Sequence, residues 1–175
     1  MRRALLACLL LAGCSVSQAG GDEDAVTPLD AAAINAGVIA DPHALDLAGS
    51  FSDPGAAGND AFCARGNREK GYKVGVLVTF GASSQCEGTG IAQLAGEAAE
   101  LSLSRNGEGD AIADCRFSAQ FDGNALVLPG SVPAACEALC SSRASLAGAS
   151  FALVEPGNAA AGGATGRSVK RLCAG

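Results

Sequence analysis

The chain has 175 residues, a formal net charge of −6 and eight cysteines, with 24 glycines, six phenylalanines, one tyrosine and no tryptophan. That length suits one domain whose modest core is built mainly from aliphatic side chains. The acidic balance without a basic stripe excludes a nucleic-acid surface and argues against adhesion of the domain to anionic lipid, while it suits solubility or a basic partner.

The first elements are a charged pair, Arg2 and Arg3, and an apolar run from Ala4 to Ala12. Crossing a bilayer core needs about 20 apolar residues, so this run is too short to span. It has the length and flanks of an export signal. The run closes on Leu11-Ala12-Gly13-Cys14. This ending resembles the bacterial lipoprotein signal (a lipobox), which a dedicated peptidase cuts before the cysteine. The resemblance covers residues 1–15. It implies that residues 1–13 are removed and that Cys14 becomes the lipidated (acylated, palmitate-bearing) first residue. Several acyl chains anchor stably, since each buried methylene contributes about 0.8 kcal/mol. The residue after the cysteine is Ser15 and not the Asp that holds enterobacterial lipoproteins in the inner membrane, so the resemblance implies the outer membrane, facing the periplasm. An ordinary secretory signal cut after Gln18-Ala19 is the alternative, and it would discard Cys14.

Loss of Arg2 and Arg3 takes the net charge from −6 to −8. Residues 14–44 read as a lipidated N-terminus and tether. The small, polar stretch 15–26 carries Asp22-Glu23-Asp24, which reads as a solvated run and not a calcium site. Thr27-Pro28-Leu29-Asp30 is a helix start: Thr27 can cap, Pro28 suits the first turn and Asp30 favours the positive end. Ala31–Ala36 continue this short helix and Gly37 stops it.

Residues 45–175 read as one domain. Tyr72, Val74, Val76, Val78 and Phe80 alternate with Lys73, Gly75, Leu77 and Thr79, the pattern of a strand with one apolar face. Weaker strands are expected at Thr89–Leu94 and Glu100–Ser104, joined onward by a glycine-rich turn, Asn106–Asp110. Ala113, Cys115, Phe117, Ala119 and Phe121 share one face of another strand. Asp122-Gly123 signals a hairpin, and Leu126 with Leu128 forms its return. Ser131 and Pro133 open a helix expected to run to Arg143. Ser150–Val154 is a last strand. Pro156–Ser168 is Gly/Ala-rich and lacks periodicity, so it reads as a loop or flexible segment that Cys173 ties down. Short strands and tight turns predict a mainly β domain with one or two short helices, an antiparallel barrel or sandwich stapled by disulfides.

With Cys8 in the signal and Cys14 lipidated, six cysteines remain: Cys63, Cys86, Cys115, Cys136, Cys140 and Cys173. An even set in an exported chain reads as three disulfides. Cys136 and Cys140 share one helical face. The expected arrangement joins that face to Cys63 and Cys173 and pairs Cys86 with Cys115.

No catalytic set stands out. His43 is the only histidine, near Asp41 and Asp46, and its setting reads as a loop and not a metal site or a general base. A Ser-His-Asp triad would have to use it, and no Gly-x-Ser-x-Gly elbow occurs. Ala161–Ser168 departs from a phosphate loop at Ala161 and Arg167. Glu97 with Glu100, or Glu108 with Asp110 and Asp114, could supply a carboxylate pair for glycoside cleavage, though sugar-stacking aromatics are scarce. The expectation is therefore a non-enzymatic envelope lipoprotein with a binding or structural domain. It needs no cofactor, metal, nucleotide or nucleic acid, and meets the membrane through Cys14. The overall plan looks like that of membrane-bound inhibitors of c-type lysozyme, which implies, as one alternative, an inhibitor of a basic enzyme. A carboxylate-dependent envelope hydrolase is the other.

Overall fold

Period-two alternation along residues 71–80 sends Tyr72, Val74, Val76 and Val78 to one face, where all are buried. The same rule repeats through the chain and closes a ring. In the computed structural model, which describes residues 27–39, 41, 43–53 and 60–173, a helix α1 (Pro28–Asn35) precedes eight strands: β1 (Gly49–Ser52), β2 (Ala61–Asn67), β3 (Gly71–Phe80), β4 (Ser84–Ala95), β5 (Ala98–Asn106), β6 (Ala111–Phe121), β7 (Ala125–Val127) and β8 (Ser150–Pro156). A 3₁₀ helix, Ala134–Leu139, lies between β7 and β8, and a short helix α2 (Asn158–Gly163) follows β8. Every neighbouring pair is antiparallel, and β8 pairs with β1, so the meander is a closed barrel.

An eight-stranded barrel has an interior just wide enough for side chains to fill. Here four of the six phenylalanines fill it. Phe51 meets Phe62 and Phe121 edge-on at 5.6 and 6.0 Å between ring centres, and Phe62 meets Phe151 at 5.9 Å. Leu101, Leu103, Leu126 and the β3 valines complete the packing.

The start of the domain closes one end of the barrel. Leu45 and Leu47 are buried, and Leu45 lies over Gly123 in the β6–β7 turn, where a Cβ would meet its Cδ2 at 2.9 Å. The Tyr72 hydroxyl donates to Asp46 Oδ1 at 2.9 Å and accepts from the Leu47 amide. Burial, then the bond donated to Asp46, raises the Tyr72 pKa to about 12.

The six cysteines form three disulfides, but with other partners than the spacing suggested. Cys136 pairs with Cys115 and Cys140 with Cys86, stapling the 3₁₀ segment across the opposite end, while Cys63 pairs with Cys173. The expected Cys86–Cys115 bridge fails on geometry. Strand β5 lies between β4 and β6, so those residues stand two strand spacings apart, roughly 9–10 Å, beyond the reach of a disulfide. Cys63 points the other way, to the outside of the barrel.

Two further expectations change. The helix expected over 131–143 is only Ala134–Leu139 and of 3₁₀ type, because Cys140 turns extended and bridges to Cys86 in the sheet. Residues 156–168 are an ordered part of the fold: α2 and the segment 164–173 form a strap across the outer faces of β2, β3 and β4. The strap covers a second, smaller core of Cys63, Leu77, Ala161, Leu172 and Cys173. Gly75 permits the close approach, since a Cβ there would run into the Leu172 carbonyl oxygen.

The N-terminal helix matches its reading. Thr27 and Asp30 form a reciprocal capping box, Pro28 sits in the first turn, and Gly37 follows at φ +68°. None of its residues is buried. Cys14, the lipobox and the acidic run 22–24 lie outside the described residues.

Candidate functional site

The strap brings together charges that are far apart in sequence. On the outer face of the barrel, β2 and β3 pair so that Arg65 stands directly opposite Lys73. Like charges in that position repel and cost stability. Lys170 and Arg171, near the end of the strap, face the same area. Two joined depressions of about 480 and 560 Å³ share Arg65 and Asn158; Lys73 lines the first, Lys170 and Arg171 the second, and no acid lines either. Among the described residues none of these four cations is ion-paired.

The scaffold under them is fixed by backbone hydrogen bonds. Asn158 Oδ1 accepts from the Gly66 amide at 2.7 Å, and its Nδ2 donates to the Gly66 carbonyl at 3.2 Å. Position 66 admits only glycine, because a Cβ would collide with the backbone of Gly71 and Tyr72. Cys63–Cys173 locks the strap immediately beside Lys170 and Arg171.

Just before Lys170 in the strap, where residues 168 and 169 cross β4, sits Glu87, 2% exposed although it points outward from β4. Its carboxylate accepts from the Ser168 and Val169 amides at 2.9 and 3.1 Å and from Gln85 Nε2 at 3.2 Å. Arg167 donates to the carbonyls of Ala82 and Gly81 and to Gln85 Oε1. The stretch Ala161–Ser168 compared with a phosphate loop thus ends on an amide, that of Ser168, which binds an internal carboxylate. A depression of about 260 Å³ lies beside Glu87, lined also by Asn106, Glu108, Leu139 and Ser141.

The carboxylates considered for catalysis lie on β5, β6 and the turns that flank them. Asp114, on the outer face of β6, is bound by Arg116 and accepts from Ser102 Oγ at 3.0 Å; these contacts, Arg116 foremost, hold its pKa below the ordinary value. Glu108 and Asp110 lie in the β5–β6 turn, where their amides donate to Asn106 Oδ1 at 3.0 and 2.9 Å. Glu97 occupies the β4–β5 turn, while Glu100 stands on β5 between Gln93 and Ser118. Asp41 accepts from the His43 backbone amide at 2.9 Å, and Asp46 is engaged by Tyr72 and the Ala48 amide. Among the described residues no three His, Cys, Asp or Glu side chains converge as a metal site.

Compared with family models, curated proteins and solved structures, the chain matches none. The cationic face had no linear signature: Arg65, Lys73, Lys170 and Arg171 come from three elements and converge only because the strap folds back. Glu87 was equally hidden, since a single Glu on a strand's polar face reads as solvent-exposed.

Proposed function

We propose that this chain is a lipid-anchored protein of the bacterial cell envelope, held to the membrane through Cys14, and that its barrel is a non-catalytic binding or structural module. The observation that carries the reading is a leader ending in Leu11-Ala12-Gly13-Cys14 followed by six cysteines all joined in disulfides. Both features belong to an exported chain in an oxidising compartment. The side-chain-filled barrel supports the binding part of the reading, because such a module offers its outer surface and not its interior. Ser15 after the anchor favours the outer membrane, on its periplasmic face.

Palmitate labelling in cells, with mass spectrometry of the N-terminal peptide, tests this. The expected result is an acylated Cys14 at the mature N-terminus and a membrane-bound protein. Cys14→Ala loses both label and membrane association. A mature chain that begins beyond Ala19 overturns the anchored reading.

A further inference from the structure

We propose that the face formed by Arg65, Lys73, Lys170 and Arg171 docks on the anionic phospholipid surface of the membrane that carries the anchor. This rests on the anchored reading and adds to it a second, non-covalent contact.

The charge is locally concentrated against the balance of the chain. A protein of net charge −6 places four cations, none of them ion-paired among the described residues, around two joined depressions without an acidic lining. The Arg65–Lys73 juxtaposition opposes folding, and an anion seated between them relieves it. Four cations spread over two depressions suit several phosphate headgroups better than one free phosphate. Glu155 lines the adjoining depression beside α2, Glu69 lies in the β2–β3 turn, and Glu87 is engaged by the strap amides of Ser168 and Val169; salt screens the attraction between the cations and anionic headgroups.

The next strand adds an apolar neighbour. Lys73 is in register with Ile91 on β4, which is 59% exposed. A bulky apolar side chain beside cations suits a surface that rests at headgroup level.

The route of the chain gives the face its direction. Gly49, the first residue of β1, pairs with Ala64, next to Arg65, and Ala48 accepts from the Gly157 amide, next to Asn158. The segment leading from Cys14 therefore joins the barrel beside the cationic face. A tether the length of residues 15–44 has a reach of a few tens of ångströms, on the order of 30 Å if flexible throughout. It holds the face at high effective concentration over the lipid, so weak contacts suffice. Each Lys or Arg near an anionic surface strengthens association about fivefold.

The test uses the acylated full-length mature protein reconstituted into vesicles of phosphatidylcholine alone or enriched in phosphatidylglycerol. Lysine acetylation by a water-soluble reagent, read by mass spectrometry, reports which amines are covered. Docking predicts that Lys73 and Lys170 are protected several-fold on anionic vesicles and not on neutral ones. Raised salt abolishes the protection, and so does the double substitution Lys170→Glu with Arg171→Glu, read at Lys73. Both substituted positions are exposed, and intact disulfides in that variant verify its fold. Equal labelling on the two vesicle types overturns the proposal. Protection on neutral vesicles by added inorganic phosphate or a soluble acidic polysaccharide, without any effect of anionic lipid, overturns it in favour of a soluble anion. If Cys14 carries no acyl chain the anchored reading fails, and co-sedimentation of the same chain with the anionic vesicles still decides the cationic face.

Discussion

Inside the barrel the core is made of large side chains: Phe51, Phe62, Tyr72, Phe121 and Phe151 with leucines and valines. Outside it, under the strap, the core is Cys63, Leu77, Ala161, Leu172 and Cys173. The two are built differently because their boundaries differ. A closed ring of eight strands encloses a fixed volume that large residues must fill. The strap has to approach the backbone of β3 closely, which favours glycine and alanine and leaves little apolar area to bury. What it lacks in area is supplied by a disulfide and by Glu87, whose carboxylate holds the Ser168 and Val169 amides.

The largest effect should come from breaking the outer core at its covalent tie. Replacing Cys63 and Cys173 by alanine opens a bridge that spans 110 residues, worth about 5 kcal/mol in the chain-entropy account. Hydrogen exchange should show residues 164–173 losing protection while the barrel strands keep theirs. Simultaneous loss throughout would mean that the two cores unfold as one unit. Phe62→Ala breaks the inner core instead, at a cost of about 3–5 kcal/mol in urea denaturation. There the strap should lose protection only together with the barrel.

Tyr72 sharpens the comparison through pH. Its pKa is raised from 10.0 to about 12, by burial first and by the bond to Asp46 second. Folding therefore favours the neutral phenol. The contribution, about 2–3 kcal/mol, is complete below pH 10 and disappears as pH rises from 10 to 12. As the chain has one tyrosine, its phenolate absorbance reports this titration alone, and Tyr72→Phe should remove that alkaline loss from the stability profile.

The smallest of these effects is expected at Glu87. Glu87→Ala leaves two strap amides without their acceptor, at about 1 kcal/mol because water can reach the opened site. Glu87→Gln keeps one acceptor oxygen and should cost less. Local exchange at Ser168 and Val169 checks both, and a global loss of stability would place Glu87 in the inner core's cooperative unit.

Which parts were legible follows the same division. Strands β6 and β7 were readable because one face is buried and the other largely wet; β3 was readable because Lys73, Gly75 and Thr79 interrupt its apolar residues, although Val74 to Val78 are all buried. Strand β2 was not, since Phe62, Cys63 and Ala64 are buried on both faces, which erases the alternation. The four residues of β1 are too few to show a period. The strap read as a loop because its order comes from the surface it lies on. Of the candidate site, the stapled cysteines were legible as a set and their partners were not; the cationic face was not legible at all.

By itself the sequence determined a β-rich, disulfide-linked domain and a capped N-terminal helix, because periodicity, capping and cysteine number are local or countable properties. Only the tertiary structure decided that the meander closes, that Cys115 and Cys86 meet the 3₁₀ segment, and that Arg65 and Lys73 share a face with Lys170 and Arg171. Those outcomes depend on which face of each strand points inward and how many strands lie between two residues, quantities that exist only once the ring is formed.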